Sequence, residues 1–101
     1  MRHDLERISD KSTQDIYDGI SSKAARNLLP MDLWATAQRK LDFVLSASII
    51  GALASPPNNH LKKLAGDFKG FWSIRINDQH RILFRWSEEL RAHDVRIYDY
   101  H

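Results

Sequence analysis

The chain contains no cysteine. Disulfides, thiolate metal sites and a cysteine nucleophile are therefore excluded, and nothing calls for an oxidising compartment. It also lacks a long hydrophobic run. The most apolar stretch, residues 43–54, is interrupted by Ser46, Ser48 and Gly51 and falls short of the roughly 20 residues that span a bilayer. The opening Met-Arg-His-Asp-Leu-Glu has no apolar signal core, so a cytoplasmic setting away from membranes is expected. No repeat or low-complexity tract is present, and charge of neither sign dominates, since 15 basic residues face 13 acidic ones. A net charge of +2 does not by itself identify a polyanion partner.

What is present is an ordinary globular composition, 43% hydrophobic and 28% charged. With 101 residues, one domain over 1–101 with a single core is expected. Charge is unevenly placed. Residues 60–101 hold eight of the basic residues, six of the acidic ones and four of the five histidines, so the second half carries the positive excess.

Along the chain, residues 5–8 alternate weakly, as a short edge strand does. Asp10 or Ser12 can cap a first helix that Gly19 stops. A polar link over residues 21–27 leads to a second helix, started near Pro30 and favoured at its positive end by Asp32. Leu33, Ala37, Leu41 and Leu45 recur at intervals of four, with Trp34 and Val44 widening the stripe and Arg39, Lys40 and Asp42 outside it. One further helical turn is expected beyond Ser46, and residues 55–59 read as a loop. The pattern then changes to period two at residues 60–64, 71–76, 80–86 and 93–100, joined by short links that suit hairpins. This predicts an α+β fold, with two N-terminal helices packed on one face of an antiparallel meander.

In the central hairpin, Trp72, Ile74, Ile76, Ile82, Phe84 and Trp86 share the core parity. A three-residue turn at Asn77-Asp78-Gln79 sets Ile74 across from Ile82 and Arg75 across from Arg81. Like charges facing each other cost up to about 1 kcal/mol, which a bound anion would relieve. Arg85 shares that open parity, and Lys62 or Lys63, Arg96, Tyr98 and Tyr100 can join it. Cations interleaved with aromatics suit RNA, because guanidinium groups neutralise phosphate and rings stack on unpaired bases. The chain ends on Asp99, Tyr100 and His101, a carboxylate, a phenol and an imidazole at the end of an alternating strand. Imidazole exchanges protons near neutrality.

Four segments together carry a resemblance: Pro56-Pro57-Asn58-Asn59, Leu64-Ala65-Gly66-Asp67, the run from Gly70 through Arg75-Ile76-Asn77-Asp78-Gln79-His80-Arg81 to Trp86, and Tyr98-Asp99-Tyr100-His101. They resemble the HigB (plasmid maintenance killer) toxins of the RelE superfamily. The resemblance implies a RelE-like fold and a metal-independent, cofactor-free mRNA endoribonuclease that acts on the ribosome with mRNA in the A site. It also implies a HigA-type antitoxin with a helix-turn-helix, whose complex with the toxin binds operator DNA. Carried over by position, it implies proton transfer by Asp99, Tyr100 and His101 and phosphate contact by Arg81. Such toxins direct the ribose 2′-hydroxyl at the adjacent phosphate, a reaction that needs a base, positive charge for the phosphorane and an acid for the leaving oxygen. Lys62, Lys63, Arg75, Arg85, Arg96 and His60 are the further RNA-contact candidates. Several family members have a histidine and a lysine where this chain has Lys62 and Ala65.

Two other readings compete. Five histidines invite a metal site, but none has the i, i+4 spacing or clustering of a ligand set, so none is expected; His80 reads as a cap on the core and His93 as a loop residue. Alternatively, the chain is a catalytically inactive RelE-fold module that only pairs with its antitoxin in an autoregulatory DNA-binding complex. The antitoxin contact is expected on the helix surface around Ile16, Tyr17 and Trp34.

Overall fold

A computed structural model of the chain describes residues 7–99; Leu5 and Glu6 of the expected first strand, and Tyr100 and His101, lie outside them. Helix α1 is Lys11–Asp18. Asp10 caps it, its carboxylate accepting the Thr13 amide N–H at 2.9 Å, and Gly19 ends it at φ 74°, a left-handed conformation that glycine adopts without strain. Helix α2, Lys23–Leu28, occupies the segment expected to be a polar link. Its cause is local: the Ser22 hydroxyl accepts the Ala25 N–H at 3.1 Å, and the alanines at 24 and 25 favour helix. Helix α2 is thus a further short helix between the two that were expected.

Helix α3, Trp34–Ser46, follows a 3-10 turn at Met31–Leu33 and buries Trp34, Ala37, Leu41 and Val44, while Leu33 and Leu45 of the expected stripe are half-buried against the core. It ends where Ala47 turns extended, and a separate 3-10 segment, Ile50–Ala54, replaces the expected further turn.

The strands are β1 (Lys62–Lys63), β2 (Trp72–Arg75), β3 (His80–Ser87) and β4 (Arg91–Asp99). They form one antiparallel sheet in the order β1-β2-β3-β4. The expected register holds, with Ile74 opposite Ile82 and Arg75 opposite Arg81. Ile74, Ile82 and Phe84 are fully buried in a core shared with Ile16, Leu41 and Val44. One irregularity was not foreseen. The pairing jumps between Leu83 and Arg85 because Asp94 adopts φ 51° and is left over as a bulge. The extra residue lets Ala92, Val95 and Ile97 all face the core.

The outer edge of β4 is covered rather than open. Ile8 makes a single parallel bridge to Val95, and Ser9 donates to Val95 O at 2.9 Å. The Thr13 hydroxyl accepts the Ile97 N–H at 2.9 Å, and Arg7 donates to Ala92 O at 2.9 Å and Leu45 O at 2.8 Å. Unpaired edge groups are a template for wrong pairing, and here α1 and the chain before it satisfy them.

The expected antitoxin surface is corrected by the same packing. Ile16 is 0% and Trp34 6% exposed, with the Trp34 indole donating to Leu29 O at 2.9 Å. Half-buried Tyr17 bonds Asp42 through its hydroxyl at 2.6 Å. The polarity of α1 concealed the fact that its few apolar side chains all point inward against α3. Among the described residues no helix is long and apolar enough to cross a membrane.

Candidate nucleic-acid interface

With the helices on one face of the sheet, the other face is formed by the odd-numbered residues of β2 and β3 and their partners. One row crosses all four strands: Lys62, Ser73, Leu83 and Arg96. The next contains Arg75, Arg81 and Tyr98. Lys62, Arg75, Arg81 and Arg96 thus share a face. Lys63 does not: it pairs with Trp72, and its ammonium lies 5.6 Å from that ring's centroid.

Aromatic rings interleave with these cations. The Arg85 and Arg96 guanidinium carbons lie 4.4 Å and 5.7 Å from the Phe71 centroid, and Phe68 meets Tyr98 edge-on at 5.0 Å. Gly70 makes room for this arrangement, since at φ 94° a Cβ there would sit 3.1 Å from Arg85 Nη1. The face is less open at its centre than alternation implies, because Ser73 and Leu83 are buried.

The charges are partly answered from within the chain. Arg75 forms an ion pair with Asp78 of the hairpin turn, and its Nη1 lies 3.5 Å from His60 Nε2. His60 itself is exposed, with φ 51° at the end of the 3-10 turn Pro57–Asn59. The Asp78 carboxylate thus offsets part of the Arg75–Arg81 repulsion from within the chain. Arg85 pairs with the bulged Asp94 at 3.2 Å. His93 lies on β4 opposite Arg85, not in a loop.

Beneath β2, Lys40 reaches from α3 to donate to Arg75 O at 2.8 Å and to buried Asn59 Oδ1 at 2.9 Å. Burial, then the neighbouring Arg39 and Arg75 charges, lower its pKa. Lys40 also borders a groove of about 510 Å³ with Phe43, Pro56 and Asn58. As a polar residue outside the helical stripe, it gave no sign in the sequence of bracing the sheet.

Asp99 sits apart from Arg81. The register pairs Arg81 with Tyr98 on the basic face, and Asp99 with His80, whose parity is that of the core. Asp99 Oδ1 accepts from Gln79 Nε2 at 2.8 Å and lies 4.0 Å from His80 Nε2. Neither Gln79 nor His80 was singled out as a site residue from the sequence. The signal was the register, because continuing the ladder past Arg81 and Tyr98 puts His80 against Asp99. Among the described residues no group of three or more histidine, aspartate or glutamate side chains is gathered as metal ligands would be.

Comparison with known proteins places this geometry in context. A family model described as RelE-like toxin of type II toxin-antitoxin system HigB matches residues 7–101. The chain is similar to Toxin HigB-1 of Vibrio cholerae serotype O1, 32% identical over 79 residues that cover 78% of this chain and 80% of the relative. It is also similar to an uncharacterized protein of Haemophilus influenzae, 36% identical over 58 residues, 57% of each chain.

Proposed function

Because the chain belongs to the HigB family of RelE-like toxins of type II toxin–antitoxin systems, we propose that it is a ribosome-dependent mRNA endoribonuclease that blocks translation in the cytoplasm. A HigA-type antitoxin with a helix-turn-helix neutralises it, and operator DNA is bound through their complex. The observation that carries the reading is the basic and aromatic sheet face. Lys62, Arg75, Arg81 and Arg96 lie in adjacent rows with Phe68, Phe71 and Tyr98, a surface suited to the phosphates and splayed bases of a single strand.

In this reading Arg81 and Lys62 stabilise the charge that builds on the phosphate during attack by the 2′-hydroxyl. Arg75, Arg85 and Arg96 bind the flanking backbone, with His60 at the rim beside Arg75. His101 and Asp99 share the proton transfers and Tyr100 positions a base; the parts given to all three rest on the family pattern, since the register sets Asp99 against His80 rather than beside Arg81. Lys63, on the opposite face, takes no part in the chemistry.

The internal pairing of Arg75 with Asp78 and of Arg85 with Asp94 favours a second reading, an inactive module that serves only as the antitoxin's partner. Substitution of Arg81 separates the two. Replacing Arg81 with Ala should slow mRNA cleavage on translating ribosomes by about a hundredfold or more, the usual scale for removing one charge-stabilising group, while antitoxin binding persists. Equal cleavage by both proteins would refute the assignment of Arg81, and no cleavage by the folded parent would favour the inactive module.

A further inference from the structure

Lys40 ties the basic sheet face to a cavity that the proposed reaction leaves unused. The groove of about 510 Å³ lies between α3 and the 3-10 turn before β1, a volume within the range of small-molecule sites. Its walls differ in chemistry. Arg39 and Lys40 supply positive charge, whereas residues 43–59 contain no charged side chain and contribute Phe43, Ser46, Pro56 and Asn58. Asp42 also borders the groove, with one carboxylate oxygen held by the Tyr17 hydroxyl at 2.6 Å. An ammonium group donates up to three hydrogen bonds. Lys40 gives two, to Asn59 Oδ1 at 2.9 Å and to Arg75 O at 2.8 Å, so a third is left for an occupant. Burial and then the Arg39 and Arg75 charges lower the Lys40 pKa, and an anion in the groove would offset that repulsion.

The groove also adjoins the candidate RNA face. Asn59 lines it, and the next residue, His60, brings Nε2 to 3.5 Å from Arg75 Nη1. Arg75 is the joint between the two. Groove-lining Lys40 holds its carbonyl, and Arg75 itself stands in the row with Arg81 and Tyr98.

We propose that this groove is a nucleotide subsite for the mRNA strand, taking a splayed base against Phe43 and Pro56, with the Asn58 amide at the base edge and the adjoining phosphate at Arg39 and Lys40. This inference rests on the ribonuclease reading, which supplies a strand that crosses Arg75. An apolar wall, an amide with both donor and acceptor, and two cations match the base face, base edge and phosphate of a nucleotide. A bare anion would use only the cations, and an apolar ligand only the opposite wall.

Titration of the intact protein with adenosine 5′-monophosphate, followed by amide shifts, tests the site without any variant. The Ser46, Asn58 and Asn59 amides should move together and saturate, and inorganic phosphate should move them far less. Shifts confined to the sheet face, or equal shifts with phosphate alone, would overturn the proposal.

Equilibrium binding of a labelled single-stranded RNA then asks whether the strand uses the groove. Phe43→Leu removes the ring but keeps most of the apolar volume, and should weaken binding by about tenfold, the scale of one lost stacked base. Arg39→Gln should also weaken it and reduce the salt slope by about 0.7, the loss of one phosphate contact. Lys23→Gln makes the same charge change on α2, outside the groove; both cations are exposed, so neither change threatens the fold. Equal effects of Arg39→Gln and Lys23→Gln, or unchanged binding in Phe43→Leu, would overturn the proposal. If the groove amides respond to the nucleotide but the intact protein cuts no mRNA on ribosomes, the ribonuclease reading has failed and the nucleotide subsite stands.

Discussion

Replacing Thr13 with Val removes one oxygen from the interior and leaves the side-chain volume nearly unchanged. Thr13 is fully buried, and its hydroxyl accepts the Ile97 N–H at 2.9 Å on the outer edge of β4, which among the described residues meets no further strand beyond the single Ile8 bridge. In the Val variant that buried N–H has no acceptor, at a cost of about 1–3 kcal/mol. Taking about 2 kcal/mol, and about 4–8 °C per kcal/mol for a domain near 100 residues, the melting temperature should fall by roughly 10 °C. Thr13→Ser is the control, since it keeps the oxygen and loses one methyl, worth about 1 kcal/mol. Circular dichroism melts of the three proteins, with amide exchange at Ile97, measure both effects. Exchange at Ile97 should accelerate selectively in Thr13→Val. If Val and Ser lower the melting temperature equally, or Val not at all, the hydroxyl does not secure this edge and the argument is wrong.

Two further perturbations probe charges. The Lys11 ammonium at 2.7 Å, and then the Ser22 hydroxyl, hold the Asp15 carboxyl below its ordinary value of 3.8 despite opposing burial. A lowered folded value means the unfolded chain binds more protons, so this stabilisation is present above about pH 4 and lost as pH falls through the lowered value. Urea denaturation against pH should therefore show a shallower acid limb for Asp15→Asn than for the parent; parallel limbs would contradict the assignment. Lys40→Met removes the donor to Arg75 O and strands the Asn59 oxygen, and should cost about 1–3 kcal/mol in urea denaturation at neutral pH. Its lowered pKa also makes the parent, but not the variant, gain stability as pH rises toward 10.5, because the unfolded chain then holds the extra proton. An unchanged midpoint at neutral pH would show that Lys40 does not brace β2.

The meander was legible because its links are short and its alternation is strong, so the turn at Asn77-Asp78-Gln79 and the core parity of Ile74 and Ile82 fixed the register. The Asp10 and Gly19 caps were legible for a similar reason, since each satisfies backbone groups at a helix end. Helix α2 was not legible: six residues are too few for periodicity to register. The bulge at Asp94 has no glycine to announce its positive φ, and it shifts the face of every residue between itself and Arg91. In a strand of two residues, Lys62 and Lys63, alternation cannot say which faces the RNA side, and only pairing with Ser73 and Trp72 decides it. His80 was read as a core cap because its parity is that of the core. That parity is what sets it beside Asp99, and the length of the β3–β4 connection, which fixes their pairing, was not calculable from residue pattern.

The most direct measurement is cleavage of a defined mRNA in a reconstituted translation reaction, with and without ribosomes, followed by analysis of the product ends. The account predicts cuts only when ribosomes are present, leaving a 2′,3′-cyclic phosphate or its hydrolysis product on one fragment and a 5′-hydroxyl on the other, as attack by the 2′-hydroxyl requires. Intact mRNA in the presence of folded protein and translating ribosomes, or fragments with a 5′-phosphate, would contradict it.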